Sequence, residues 1–258
     1  MAMLPNPLPR LAADPAGSAL GLGLPPGKLI DATADGPWHE PLLWYADGPA
    51  EPDAWTSLLP ARAAGLHPVL IDAGRDYAGL DHWELAPDEM SYPGDHDPED
   101  VLADIWEEYH DGDWPGIAAA GSPETDPDIR AAEVAAALIK DGTLTSPRAA
   151  LVHARRSADI PAAIGWCGPL NHQNDVARLC SVLRSWEDRF GVRVLALGYD
   201  TLALSVAAPP RTLEAAEAVA AEHYAFCPDN LDQGHHTTFA DYARHVLLNA
   251  PAWHFRWD

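Results

Sequence analysis

An amphipathic segment at residues 174–190 constrains the fold of this chain more than any other feature. Its apolar side chains recur at about 100° per residue, which places them on one face of a helix that Gly191 ends. That face consists of Val176, Leu179, Val182, Leu183, Trp186 and Phe190. Two strand-like segments follow at 192–197 and 202–207, joined by a Gly-Tyr-Asp-Thr turn typical of a hairpin. We therefore expect a helix packed on an antiparallel sheet.

The order of the segments around this helix predicts an α+β fold. Strands are expected at 149–154 and 162–166, helices at 212–226 and 237–248, and a last strand at 253–257. From the second of these strands onward the order is β-α-β-β-α-(α)-β. This order matches a C-terminal ferredoxin-like βαββαβ sheet with packed helices and one added helix.

The N-terminal half carries a second set of elements. Segments 28–31, 41–45 and 67–71 have the composition of short strands, and 55–64 has a helical spacing that Pro60 interrupts. This pattern predicts a smaller α/β region ahead of the C-terminal sheet. The predicted organisation is an extended Pro/Gly-rich arm at 1–27, an N-terminal α/β region at 28–114, a linker at 115–125 and a C-terminal α+β domain at 126–258.

The chain carries a formal net charge of −23, and this charge is unevenly distributed. Between Arg75 and Arg130 there is no Lys or Arg, while carboxylates alternate with aromatic residues. The carboxylates of this interval include Asp81, Glu84, Asp88, Glu89, Asp95, Asp97, Glu99, Asp100, Asp104, Glu107, Glu108, Asp111 and Asp113, and the aromatic residues among them are Trp83, Tyr92, Trp106, Tyr109 and Trp114. Acids and rings together suit a cationic ligand, whereas such acidity repels phosphate backbones. The alternative is a solvated helix at 98–106, begun by Asp97, with its tryptophan facing the core.

Cysteine usage and hydropathy indicate a soluble cytoplasmic protein. The three cysteines, Cys167, Cys180 and Cys227, are too few and too irregularly spaced for a disulfide framework, which favours a reducing compartment. The first ten residues lack the apolar stretch of a signal peptide, and no apolar run is long enough to span a bilayer.

Several separate motifs in the C-terminal part resemble one bacterial family. They are GWCGPLN, LRSWEDRFG, the hairpin LGYDTLALSVAAPPRT, then AEHYAFCPDN and the closing WHFRWD. In this order they are similar to the domain of unknown function 4253, over residues 162–258. The chain departs from the family pattern after Gln233, where Gly234, His235 and His236 replace a short Gly/Pro turn. The resemblance implies no mechanism, because the family has no established activity.

Polar residues near the start of the 174–190 helix and in the CPDN turn form the first candidate site. Carboxylates there can act as acid and base or hold a cation. The alternative is structural, because Arg184 lies three and four residues from Glu187 and Asp188, and Asp175 suits a helix N-terminus. The candidate binding residues are Trp166, Asn171, Asp175, Arg184, Glu187, Asp229 and Asn230, joined by Trp106, Glu107 and Glu108 in the acidic segment.

A zinc site is a weaker candidate. His223 and Cys227 are four residues apart at a helix end, and His235 and His236 follow them. The alternative is that Cys227 is a buried apolar side chain. Adjacent histidines such as His235 and His236 also seldom bind the same metal ion. The sequence contains no dinucleotide fingerprint, P-loop, GxSxG or HExxH motif, and no cofactor is predicted.

Two functions are compatible with these patterns. The first is a non-enzymatic acidic module that regulates or neutralises a basic protein partner, as immunity proteins of bacterial toxin systems do. The second is an enzyme of unrecognised type, with a polar pocket between the helix start at 171–175 and the loop at 227–230. Nucleic-acid and membrane partners are not expected, and the oligomeric state stays open.

Overall fold

A computed structural model describes residues 5–74, 80, 83–236 and 238–257 of the chain. Within these residues the protein has an α+β fold built on one large mixed sheet. The strands are β1 (Gly27–Ile30), β2 (Ala32–Thr33), β3 (Gly36–Pro37), β4 (Leu43–Ala46), β5 (Leu66–Asp72), β6 (Pro147–His153), β7 (Arg193–Leu197), β8 (Thr201–Ser205) and β9 (Ala252–Arg256). The helices are α1 (Ala54–Leu58), α2 (Pro98–Tyr109), α3 (Pro127–Lys140), α4 (Ile160–Ile164), α5 (Val176–Phe190), α6 (Leu213–Phe226), α7 (Asp229–Asp232) and α8 (Phe239–Tyr242).

The large sheet has seven strands in the order β1-β4-β6-β5-β7-β8-β9. Neighbouring strands are antiparallel except for β5 and β7, which are parallel with Leu70 opposite Ala196. Strands β2 and β3 form a separate antiparallel pair. The sheet thus takes strands from both sides of the linker predicted at 115–125, and the division into regions stays a prediction.

Helices cover both faces of the sheet. Successive side chains of β5 point to opposite faces of the sheet. Val69 and Ile71 pack in the apolar cluster that contains α5 and α6, whereas Leu70 packs in the cluster that contains α3. Since both faces are covered, β5 carries a continuous apolar run rather than an alternating one. The middle of the sheet therefore lies in the core.

Helix α5 ends at Phe190 as predicted and begins two residues later than predicted, whereas α2 begins at Pro98 as predicted and continues three residues beyond Trp106. The Asp175 carboxylate accepts the Ala177 N–H at the start of α5, and Gly191 ends the helix with φ 61°. Asp97 caps α2 in the same way by accepting two backbone N–H groups. The apolar face of α5 is buried against the sheet as its spacing predicts.

The strand predicted at 162–166 is wrong, because residues 162–164 belong to α4 and the chain turns at Gly165. Pro161 occupies the first turn of that helix, where its missing N–H costs no hydrogen bond, and Gly165 ends it with φ 66°. The ferredoxin-like arrangement is not confirmed, since β6 lies between β4 and β5 while β9 pairs at the sheet edge with β8. The short apolar run was ambiguous between helix and strand.

Two further segments differ in detail from their predictions. The helix predicted at 55–64 continues beyond α1 as a 3-10 helix at Leu59–Ala64, which Pro60 imposes and Gly65 ends. The helix predicted at 237–248 is α8 followed by a π-helical turn at Ala243–Leu247, and its first residue lies outside the described residues.

The N-terminal arm and the linker both pack against the fold. From Pro5 onward the arm contains two short 3-10 helices. The first of these helices includes Leu8 and Leu11, and both side chains are buried. The linker has no regular secondary structure, yet Ala118 is buried. Its N–H donates to the Glu222 carboxylate, and its carbonyl accepts from Arg189. These contacts satisfy backbone groups that burial would otherwise leave unpaired.

Candidate functional site

The outer surface of α2 is densely acidic. Its apolar residues Val101, Leu102 and Trp106 are buried, and the helix packs against α5 and α6. The carboxylates on the other side are exposed, as helical spacing requires. We define the acidic face as Glu99, Asp100, Asp104, Glu107, Glu108, Asp111 and Asp113. Among the described residues, Asp104 is the one member with an ion pair, to Arg178 at 2.7 Å.

The central tryptophan of α2 does not share this surface. Trp106, predicted as a binding residue, is buried, and its Nε1 donates to the Gly112 carbonyl at 2.8 Å. Its ring stacks on Phe239 and meets Trp114 edge-on. On α2, Glu107 and Glu108 are therefore exposed while Trp106 faces the core, and Tyr92 earlier in the segment is 41% exposed. Asp81 lies outside the described residues.

A hydrogen-bonded cluster adjoins the C-terminal end of the acidic face. His172 Nε2 lies 2.9 Å from Asp229 Oδ2, and its Nδ1 lies 3.2 Å from the Tyr109 hydroxyl. Burial, followed by the carboxylates of Glu108 and Asp229, raises the pKa of Tyr109, so the phenol stays protonated at neutral pH. Sequence reasoning named Asp229 and Tyr109 in two different candidate surfaces and missed His172, because the three residues lie far apart in the chain and meet only in the fold.

A pocket of about 260 Å³ lies beside this cluster. We call it the aromatic pocket and define it by Trp83, Glu84, Leu85, Trp166, Cys167, Gly168, Leu170, Asn171, Tyr199, Asp200 and Trp257. Trp166 and Asn171, both predicted as binding residues, lie in its wall. Trp166 is buried, donates from Nε1 to the Gly198 carbonyl at 2.9 Å, and meets Trp257 edge-on.

The cysteine side chains offer no activated nucleophile. Burial raises the pKa of the Cys167, Cys180 and Cys227 thiols, so each stays protonated at neutral pH. We expect iodoacetamide at about pH 8 to modify the folded protein at least about tenfold more slowly than the urea-unfolded protein. Mass spectrometry of the alkylated peptides would measure this, and a thiol that reacts equally fast in both states would contradict it.

The charged residues of α5 that were predicted to pair along the helix bind partners outside it instead. Arg184 forms a two-point ion pair with Asp159, at 2.5 and 2.9 Å, instead of the predicted pairs along its own helix. Asp188 pairs with Arg156, and Glu187 accepts the Ala158 N–H at 3.1 Å. The prediction failed because a chain segment beside α5 supplies partners with better geometry than the i+3 and i+4 neighbours.

The short helix α7, which follows α6, is fixed by hydrogen bonds to neighbouring elements. Asn230 donates to the His254 carbonyl at 2.7 Å and to the Tyr242 hydroxyl at 3.1 Å, which ties the helix to β9 and α8. Asp229 pairs with His172 and also accepts from Gln233 at 3.0 Å. These polar groups are thus engaged with one another, and the polar pocket predicted between 171–175 and 227–230 stays a prediction.

The four residues of the zinc candidate do not converge. Within the described chain, no group of three or more His, Cys, Asp or Glu side chains is placed to share a metal ion. Cys227 donates from Sγ to the Arg256 carbonyl, and His223 lies among aromatic rings with Nδ1 3.1 Å from the Tyr242 hydroxyl. His235 is exposed, and His236 pairs with Asp241 at 2.7 Å.

A buried charge pair, which sequence reasoning missed, joins α5, α6 and the linker. Glu222 is fully buried, and both of its oxygens accept from the Arg189 guanidinium, at 2.8 and 2.5 Å. The same carboxylate accepts from Trp186 Nε1 at 2.7 Å and from the Ala118 N–H at 2.6 Å. With every oxygen satisfied, this carboxylate has a structural role.

None of the helices in the described part of the chain combines the length and the apolar character that crossing a bilayer requires. No curated protein and no solved structure matches the chain. Residues 148–258 match the family described as Domain of unknown function (DUF4253), so the match begins within β6 and extends through β9. This segment, which carries the motifs around α5, the hairpin and the CPDN turn, belongs to the DUF4253 family.

Proposed function

We propose that this protein is a non-enzymatic binding module that regulates or neutralises a basic protein partner, in the manner of an immunity protein, through its acidic face. The observation that supports this most directly is the set of seven exposed carboxylates on α2 and the following turn. Asp104 alone among them has an ion pair within the described residues, so the face carries a large uncompensated negative charge.

Exposed charge of this kind changes the association rate of two proteins more than it changes their equilibrium affinity. The net charge of −23 gives the whole molecule a negative potential, and the acidic face concentrates negative charge along α2 and the turn after it. Complementary charge raises the association rate of a basic protein and disfavours acidic competitors. At physiological salt the screening length is about 8 Å, so the effect depends on ionic strength.

Reversal of two charges on the acidic face tests this proposal. We expect wild-type protein to retain a basic protein from native lysate at low salt and Glu107→Lys/Glu108→Lys to lose it. With the partner purified, the variant should associate at least about tenfold more slowly, because steering is removed. Stopped-flow association rates at several salt concentrations measure the effect.

A matched control separates location from total charge. Glu51→Lys/Glu133→Lys reverses two exposed carboxylates elsewhere, one before α1 and one on α3, and gives the same net charge as the first variant. It should keep nearly wild-type association. Equal rates for both double variants would show that the acidic face has no special part in binding and would overturn the proposal.

A further inference from the structure

The aromatic pocket combines ring surfaces with negative charge. Trp83, Trp166 and Trp257 are buried and form its inner wall, whereas Leu170 and Tyr199 are 45% and 43% exposed and lie at its rim. Large apolar side chains with such exposure are few in the described chain, and two of them meet at this opening. A rim of this kind suits a partner group that is both flat and partly apolar.

The charged side chains of the pocket wall are both carboxylates. Glu84 is exposed and has no ion pair within the described residues, and Asp200 Oδ2 lies 3.7 Å from Arg256 Nε, which is too long for a strong charge-assisted hydrogen bond. Burial, followed by the carboxylates of Glu89 and Glu84, raises the pKa of the Cys167 thiol in the same wall. The pocket is thus a site of negative potential.

The aromatic pocket lies next to the acidic face. Asn171 belongs to its wall, and the next residue, His172, contacts Tyr109 at the C-terminal end of α2. A partner seated on the acidic face would therefore have surface close to the pocket opening. This continuity links the pocket to the same binding event rather than to a separate ligand.

We infer that the aromatic pocket receives an arginine side chain of the basic partner, an inference that rests on the proposed function. A guanidinium is planar, stacks on aromatic rings, and offers several N–H donors to carboxylates, here Glu84 and Asp200. It is also more weakly hydrated than an ammonium group, so entering an apolar wall costs it less. Lysine fits the charge of the pocket but not its flat shape.

The test uses small probes that isolate this contact from the rest of the partner. N-acetyl-arginine amide, N-acetyl-lysine amide and N-acetyl-citrulline amide are titrated into ¹⁵N-labelled protein, and the indole N–H signals of Trp83, Trp166 and Trp257 are followed. Citrulline has nearly the shape of arginine without its charge. We expect arginine to bind at least about fivefold more tightly than lysine and citrulline not to saturate.

Variants of the pocket wall separate charge from fold. Glu84→Gln/Asp200→Asn keeps the shape of both side chains and should weaken arginine binding at least about tenfold, whereas Glu133→Gln on α3 should leave it unchanged. Unperturbed signals elsewhere in the spectrum would show that the variants are folded. Equal binding of arginine and citrulline, or equal affinity of the wild type and the double variant, would overturn the inference.

The two proposals fail in different ways. If Glu107→Lys/Glu108→Lys slows association with the partner and the pocket variant neither binds arginine amide less tightly nor alters partner affinity, the acidic face stands and the pocket inference falls. If arginine amide binds the pocket while reversal on α2 has no effect on the partner, the pocket is a cation site and the proposed function falls.

Discussion

Replacing Arg189 with methionine is expected to lower the free energy of unfolding by about 3–5 kcal/mol. The arginine supplies two of the hydrogen bonds to Glu222, which is fully buried, so its loss would leave a carboxylate without a cation in the core. The same guanidinium donates to the Ala118 carbonyl at 2.8 Å and therefore also holds the linker in place. Urea unfolding followed by tryptophan fluorescence measures the change.

Two further variants identify the cause of that loss. Arg178→Met removes a pair with Asp104 that lies on the surface, and it should cost only about 0–1 kcal/mol. Arg189→Met/Glu222→Met removes both charges and should recover part of the stability, because no uncompensated charge remains. A loss as large for the surface pair as for the buried pair would contradict this account of the core.

Stability is expected to fall on acidification below about pH 6.5, chiefly through two buried histidines. Burial lowers the pKa of His223 to about 3, and burial together with Arg62 and Arg193 lowers the pKa of His67 to about 4. Between these values and the ordinary histidine pKa, the unfolded chain binds protons that the folded chain does not. Each histidine therefore contributes stability that is present above about pH 6.5 and is lost as the pH falls through that window.

The size of the effect can be isolated by comparing variants. Between about pH 7.5 and 5, His223 alone should cost about 2 kcal/mol. His223→Phe removes this titration, and the Tyr242 hydroxyl keeps its hydrogen bond from Asn230. Its unfolding free energy should depend less steeply on pH, while the exposed variant His235→Asn should follow the wild type. Identical slopes for wild type and His223→Phe would contradict this account, because they would show that folding does not lower the pKa of His223.

Local chemistry made the helices predictable, whereas sheet order depended on distant pairings. Asp97 and Asp175 cap α2 and α5 because a side-chain oxygen at that position satisfies free N–H groups whatever the surrounding fold. Nothing local indicates that β5 lies between β6 and β7, since that placement arises from strands far apart in the sequence. The segment at 162–166 was mistaken for a strand because a run of four apolar residues and one glycine suits either structure.

The candidate sites show the same difference between local spacing and contacts of distant segments. Helical spacing was enough to place Glu107 and Glu108 on an exposed surface and to allow that Trp106 faces the core. It was not enough for Arg184, whose partner Asp159 lies in another segment, or for the cluster of Tyr109, His172 and Asp229. Contacts between elements decide those pairings, and they have no signature in a single stretch of sequence.

The parallel pairing of β5 with β7 affects how the chain can fold while the ribosome is synthesising it. A ribosome adds about 5–20 residues per second, so on the order of 10 s separates the synthesis of Leu70 from that of its partner Ala196. During that interval a strand with Val69, Leu70 and Ile71 in succession has at least one bare edge and no covering helix from the later part of the chain. Nascent chains of this protein should therefore require chaperone protection until translation has passed α5 and the hairpin.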